Sequence, residues 1–324
     1  MVLKPQCIAL SGGVGGAKLA LGLSLELAAD RLAVIVNTGD DFDHLGLRVC
    51  PDLDTLMYTL SGKSNQELGW GQAGETWSFL SALADLGGED WFKLGDRDLA
   101  THVFRTQLLD GGATLTEVTQ ALLTALTVET TVLPMTDDRV ATQIHCQSGE
   151  TLAFQHYFVR DQCAPPISGV SFAGIDGARR SSRFSALLEG SEASSVIICP
   201  SNPFVSVAPI LDLQDTWRRL CEQSGPVVAV SPIVAGMALK GPAAKMMREL
   251  DMPSTALAVA EFYQRVYPGL LNGFVIDHAD RASADAVRQL GLEVLVTATV
   301  MKDVHDKQSL ARDVLGFVAD LTAS

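Results

Sequence analysis

The sequence predicts an α/β protein built on a parallel sheet with helices on both faces. Three observations carry that expectation. A glycine-rich turn joins a short apolar strand to a helix, a second buried strand follows that helix, and a strand–helix rhythm returns in the last third of the chain.

Residues 7–10 form the first apolar strand, and 11–16 (Ser-Gly-Gly-Val-Gly-Gly) are too rich in glycine for either element. A helix over 17–29 is marked by Leu19, Leu23 and Leu27, and 32–36 read as the second strand. This βαβ unit implies parallel pairing, because only a crossover returns the chain to the same sheet edge. A polar stretch over 37–51 ends in Pro51-Asp52-Leu53-Asp54, where Asp52 or Asp54 is placed to cap a helix over 55–60. Residues 70–126 are mostly helical, broken at Gly87-Gly88, Gly95 and Gly111-Gly112. Thr114 and Glu117 offer a capping box ahead of a helix over 118–126. Short β-like runs at 130–133, 139–146, 151–159 and 170–172 predict a β-rich insertion near 130–175. Strands at 195–199, 227–230, 273–276 and 293–297 follow, with helices over 255–267 and 308–321. The expectation is one Rossmann-like α/β catalytic domain over 1–324, with helical segment 70–126 and insertion 130–175 as its sub-domain.

Bulk properties narrow the class. With 324 residues, 47% hydrophobic and 19% charged, the chain has material for a large core. A formal net charge of −14 argues against nucleic acid or an anionic membrane as partner, while leaving room for a local phosphate pocket. The six cysteines form no CxxC pair, which points to reduced thiols and no structural zinc. The start at 1–5 lacks a signal-type apolar region, and no 18-residue apolar run occurs. The expected compartment is the cytoplasm.

Four motifs carry chemistry. Backbone N–H groups at a helix start bind anions, and Gly12, Gly13, Gly15 and Gly16 would let a phosphate approach that backbone. Two common fingerprints fail there. Counted from Gly12, a P-loop would need glycine where Ala17 stands and Ser or Thr where Leu19 stands, and a dinucleotide motif would need glycine at Lys18. Acidic density comes second, in Asp40, Asp41, Asp43, Asp52 and Asp54, beside Asn37, Thr38 and His44. Carboxylates at strand ends can hold magnesium, with Asp40, Asp41 and Asp52 as candidate ligands, or orient a hydroxyl and take its proton. Capping and a solvated loop are the plain alternative. Third, Lys93-Leu94-Gly95-Asp96-Arg97-Asp98 is either a surface salt-bridge turn or a site where Arg97 meets an anionic or planar group. Fourth, Pro200-Ser201-Asn202-Pro203 and Ser231-Pro232, the latter followed by Lys240-Gly241-Pro242, put polar turns after two strands. The remaining histidines, His102, His145, His156, His278 and His305, show no metal or triad spacing, and most of them read as structural.

Together these motifs resemble one family, the 2-phospho-L-lactate transferases of coenzyme F-420 biosynthesis. The carriers run in order: the 11–19 turn, Val36-Asn37-Thr38-Gly39-Asp40-Asp41, Pro51-Asp52-Leu53-Asp54-Thr55, Leu94-Gly95-Asp96-Arg97-Asp98 with Thr101-His102, Leu133-Pro134-Met135-Thr136-Asp137 and Pro200-Ser201-Asn202-Pro203. The wording Gly39-Asp40-Asp41-Phe42 and His44-Leu45-Gly46-Leu47 is similar to the bacterial phosphoenolpyruvyl/2-phospholactate branch. The resemblance implies magnesium-dependent transfer from a guanosine diphosphate-linked three-carbon acid. The acceptor would be the ribityl hydroxyl of 7,8-didemethyl-8-hydroxy-5-deazariboflavin, with GMP released. It further implies a homodimer, Asp54 and Arg97 at the deazaflavin with Asp52 close by, and the glycine turn with Lys18, Ser201 and Asn202 at the donor. On that reading Asp54, Asp52 and Arg97 are the catalytic candidates, and Asp54→Ala is expected to cost activity far more than stability.

Two other classes compete. The related gluconeogenesis factors, nucleotide-sugar-binding regulatory proteins, share a glycine turn and an Asn/Asp-rich second strand end, but the Pro51–Asp54 and Leu94–Asp98 wording belongs to the transferases. A nicotinamide-dependent dehydrogenase is disfavoured by the broken fingerprint.

Overall fold

The computed structural model describes residues 5–189, 194–238 and 241–323, so residues 1–4 and Lys240 lie outside the described part. The chain opens with β1 (Cys7–Ser11), α1 (Gly13–Glu26) and β2 (Leu32–Val36). A hairpin of β3 (Phe42–His44) and β4 (Leu47–Val49) leads into α2 (Pro51–Leu60), then α3 (Ser78–Asp85), α4 (Asp96–Asp110) and α5 (Leu115–Ala125). Next come β5 (Thr131–Pro134), β6 (Ala141–Cys146), β7 (Thr151–Ala153), β8 (Ile167–Ala173) and α6 (Ser182–Leu188). The second half holds β9 (Ser195–Ile198), α7 (Ala208–Asp212), α8 (Thr216–Cys221), β10 (Val227–Val230), β11 (Ile233–Val234), β12 (Met237–Ala238), α9 (Ala243–Glu249) and α10 (Ala256–Val266). It ends with β13 (Gly273–Asp277), α11 (Ala284–Arg288), β14 (Glu293–Thr297) and α12 (Val304–Ala323).

Seven strands form one sheet in the order β5-β2-β1-β9-β10-β13-β14, and every neighbouring pair is parallel. Counted along the chain that order is 3-2-1-4-5-6-7, the doubly wound arrangement, and its direction reverses between β1 and β9. All five residues of β1 are buried, as a parallel strand covered on both faces must be. Alternate side chains divide between two cores. Cys7 and Ala9 join Leu19 and Leu23 of α1, Leu53 and Met57 of α2, and Leu310 and Val314 of α12. Ile8 and Leu10 join Phe204, Ile210, Val259 and Phe262 on the other face. Helices therefore cover both faces, as the βαβ pattern predicts.

Several boundaries differ for identifiable reasons. Helix α1 starts at Gly13, four residues before the expected start, because glycines can take helical backbone once the turn is made; Gly13 itself sits at φ +64°. Helix α2 starts at Pro51, whose fixed φ suits a first turn, so Asp52 and Asp54 lie inside the helix and no side chain caps it. The Thr114–Glu117 capping box is present, with the helix running from Leu115. Residues 131–134 are the sheet-edge strand β5, paired with β2, and not part of the insertion. The insertion is a three-stranded antiparallel sheet in the order β7-β6-β8, and the expected strand over 151–159 gives way to the π-helical turn His156–Arg160. The 37–51 stretch folds a hairpin turning at Leu45 and Gly46, too short and polar to show a strand period. Among the described residues, no helix is long and apolar enough to cross a membrane.

Candidate active site

A crevice of about 500 Å³ opens at the carboxyl ends of β1, β9 and β10. This is where an open α/β sheet with such an order reversal places its ligands. Gly12, Gly13 and Gly15 line it, together with Lys18 one turn further along α1. A Cβ on Gly15 would stand 2.2 Å from the Pro200 carbonyl oxygen, so the glycine lets α1 abut the end of β9. Gly16 packs beneath, against Ser11 and Ser201, and does not line the crevice. The Gly12 N–H donates to Ser201 Oγ at 3.2 Å, which ties the turn to the Pro200–Pro203 segment. Ser201 and Asn202 line the crevice, and Asn202 Oδ1 accepts from the Phe204 N–H at 2.9 Å. Ser231 lines it from the end of β10. Lys18 reaches away along the wall, donating from Nζ to the Met301 carbonyl at 2.9 Å.

The acidic group divides. Asp52 projects from the first turn of α2 to the start of α1, where its Oδ1 accepts from the Gly13 N–H at 2.7 Å. Its Oδ2 accepts from Asn37 Nδ2 at 3.0 Å, and Asn37 also donates to the Val205 carbonyl at 3.2 Å. Burial pushes Asp52 up to about 6, against those two hydrogen bonds. Asp40 lines the same crevice; burial, then the charge of Asp52, holds its carboxyl well above the usual range. Its Oδ1 is buried and has no hydrogen-bond partner. Asp41 is not in this pair. It turns to Arg48 at 3.5 Å, and burial pushes it up to about 7 despite that guanidinium.

Asp54 and Arg97 do not line the crevice. Asp54 is buried on the far side of α2, held by Arg105 through both guanidinium nitrogens, Nη1 at 3.2 Å and Nη2 closer. Arg105 is 1% exposed, and its Nη1 also reaches the Arg48 carbonyl at 3.3 Å and His102 Nδ1 at 3.1 Å. Burial works against the Arg105 charge, but Asp54 outweighs it and the guanidinium stays charged. Asp54, Asp98 and His102 bring three ligand atoms close together, yet Arg105 already supplies the cation there. Arg97 is exposed and donates from Nη1 to the Ala73 carbonyl at 3.3 Å. It braces the base of the loop whose tip, Leu68 to Trp70, lines the crevice.

Sequence reasoning missed the aromatic side chains of the crevice. Trp70, Phe92, Phe154 and Phe158 line it, from three separate segments. Phe92 packs edge-on against Phe42 at 4.9 Å and beside His44 at 5.7 Å. Trp70 between two glycines was the one visible signal. Two π-helical turns, His156–Arg160 and Pro203–Val207, border the crevice, a distortion that often marks functional positions.

The family model "2-phospho-L-lactate transferase CofD" matches residues 7–313. Curated relatives named phosphoenolpyruvate transferase include one from Kitasatospora aureofaciens, 39% identical over 96% of this chain and 97% of its own length. One from Streptomyces coelicolor is 40% identical over the same shares. One from Mycobacterium tuberculosis is 37% identical over 89% of this chain and 92% of its own. Among solved structures, a UPF0052 family member from Bacillus halodurans superposes with a TM-score of 0.64 at 14% identity, over 96% of this chain and 99% of its own, a likeness of fold.

Two outcomes are expected. Asp54→Ala strands a buried guanidinium, so it should cost about 3–5 kcal/mol in urea unfolding, where the motif alone suggested a mainly catalytic loss. A cost under about 1 kcal/mol would contradict that pairing. For Asp41 the raised pKa sets the sign. Between the ordinary 3.8 and about 7 the unfolded chain has lost a proton that the folded protein keeps. Stability should therefore decline as pH rises through that window and level off above it. Asp41→Asn should flatten the decline measured between about pH 4.5 and about pH 7.5, and an unchanged slope would count against it.

Proposed function

The chain belongs to the 2-phospho-L-lactate transferase CofD family, and on that premise we propose that it builds a phosphodiester in coenzyme F-420 biosynthesis. The group moved is phosphoenolpyruvyl or 2-phospholactyl, carried on a guanosine diphosphate-linked donor. The acceptor is the ribityl hydroxyl of 7,8-didemethyl-8-hydroxy-5-deazariboflavin. The hydroxyl oxygen bonds to the donor's terminal phosphorus, the bond from that phosphorus to the oxygen of GMP breaks, and the hydroxyl proton is released. The relatives' names favour phosphoenolpyruvate as the acid.

One observation carries the reading. The start of α1, the Ser201–Asn202 turn and the Asp40–Asp52 pair meet at a single crevice. Phosphoryl transfer asks for little beyond placement and neutralisation of charge. The positive end of α1 suits the diphosphate, with the Gly12 and Gly13 N–H groups engaged by Ser201 and Asp52, and Ser201 and Asn202 suit the nucleotide beside it. Asp52, two residues before Asp54 on α2, keeps its aim because Arg105 pins the opposite side of that helix turn.

Magnesium fits the acidic pair. Two buried carboxylates at raised pKa, one with an orphaned oxygen, are a donor set that a hard divalent cation would satisfy. Asp40 and Asp52 would hold it, and the ion would supply charge neutralisation for the donor's phosphates. Asp41 also has an Oδ1 without a hydrogen-bond partner, but it does not line the crevice and its Oδ2 is held by Arg48, so it is left out of that set. A homodimer completes the proposal and is checked by mass in solution.

The test offers enolpyruvyl, lactyl and glyceryl donors in competition with the deazaflavin and reads product and GMP by mass spectrometry. The expected result is a phosphodiester of deazaflavin and acid with one GMP per turnover, enolpyruvyl in excess, and a loss of about 100-fold or more in Asp52→Ala. No product, combined with tight binding of a nucleotide-sugar, would move the chain to the regulatory class.

A further inference from the structure

Asn37, the residue after β2, is fully buried beside the acidic pair. Both ends of its carboxamide are in use. Oδ1 accepts from the Gly39 N–H at 2.8 Å, where the chain turns toward Asp40. Because that N–H can only donate, it fixes which end of the amide is oxygen. Nδ2 donates to Asp52 Oδ2 at 3.0 Å, on α2, and to the Val205 carbonyl at 3.2 Å, on the π-helical turn after β9. One side chain thus connects the turn that leads to Asp40 with the carboxylate of Asp52. Burial raises both carboxyls, and the amide works against it by favouring their charged forms.

The Asp40 end has little freedom of its own. The Gly39 carbonyl accepts from the Thr142 N–H at 2.7 Å, and the Asp40 carbonyl accepts from Gln155 Nε2 at 3.3 Å, both donors coming from the insertion. A Cβ on Gly39 would stand 2.9 Å from Thr142 Oγ1 and 3.0 Å from Asn37 Oδ1, so the turn is packed on both sides. An asparagine that only closed a local turn would use its oxygen alone. Here the two N–H bonds span 15 and 168 residues of sequence.

We infer that Asn37 is a positioning residue: it sets the span between the Asp40 and Asp52 carboxylates and so decides which size of divalent cation the pair accepts. The inference rests on the proposed binding of magnesium by this pair. Magnesium requires oxygens at about 2.0–2.1 Å in a near-ideal octahedron, while calcium takes more ligands at about 2.3–2.6 Å and tolerates irregular ones. A pair held at one span by a buried amide favours the smaller, stricter ion. Without the amide, Asp52 keeps the Gly13 N–H and can turn about that single bond, which suits calcium as well as magnesium.

Asn37→Ala removes the amide. Asn37→Ser is milder at a buried position and decides the matter should Asn37→Ala fail to fold; it keeps an oxygen but is too short to join Gly39 to Asp52. GDP affinity is measured by calorimetry in magnesium, in calcium and in EDTA, for the parent and both variants. The ratio of the magnesium to the calcium affinity within one preparation does not depend on how much of it is folded, so lost stability alone leaves it unchanged. The parent is expected to bind GDP about tenfold more tightly in magnesium than in calcium, and the variants to bind it equally in the two within about twofold. A variant that keeps the parent's ratio, or a parent that does not prefer magnesium over calcium, overturns the inference while the magnesium reading stands. A parent whose GDP affinity is the same in EDTA as in either metal sinks the magnesium reading and this inference together.

Discussion

The Asp52 carboxylate, received by the Gly13 N–H and by Asn37, is the contact on which the site depends. It joins the end of β1, the end of β2 and the first turn of α2. A carboxylate at a helix N-terminus occupies the position an anion would take, and here it belongs to a different helix. Close to it lies Asp40, buried, with its Oδ1 without a hydrogen-bond partner. The ligand-free crevice therefore combines a helix end that attracts phosphate with two carboxylates that repel it. Burial eases the conflict by raising both pKa values, and a divalent cation would remove it.

Behind α2 a second buried set of charges does a different job. Arg105 holds Asp54, the Arg48 carbonyl and His102 together, joining α4 to α2 and to the β3–β4 hairpin. A buried ion pair of this kind adds little net stability, but losing one partner is costly. Two acidic residues in one helix turn thus have separate tasks. Asp52 faces the crevice and Asp54 anchors the helix that aims it. Arg97, outside the crevice, contacts the loop that carries Trp70 through the Ala73 carbonyl.

Much of the fold was legible because it rests on local rules. The apolar runs of β1, β2 and β10 are short and fully buried, and the glycine turn after β1 has few readings in an α/β chain. Thr114 and Glu117 announced their helix start by side-chain chemistry alone. What stayed hidden depends on tertiary position. Residues 131–134 resemble the strands that follow them, and only pairing with β2 assigns them to the main sheet. The sequence brought Asp40, Asp41, Asp52 and Asp54 together as a group, but spacing could not say which carboxylates face inward. The aromatic lining draws on three segments far apart in sequence, and only Trp70, between two glycines, carried a local signal.

On the proposed function, the acidic pair makes nucleotide binding depend on a cation. The direct measurement is the GDP affinity of the parent and of Asp52→Asn, each with and without magnesium. The account predicts that magnesium tightens GDP binding about tenfold or more in the parent and that most of this gain disappears in Asp52→Asn. The same magnesium-dependent gain in both proteins would contradict it.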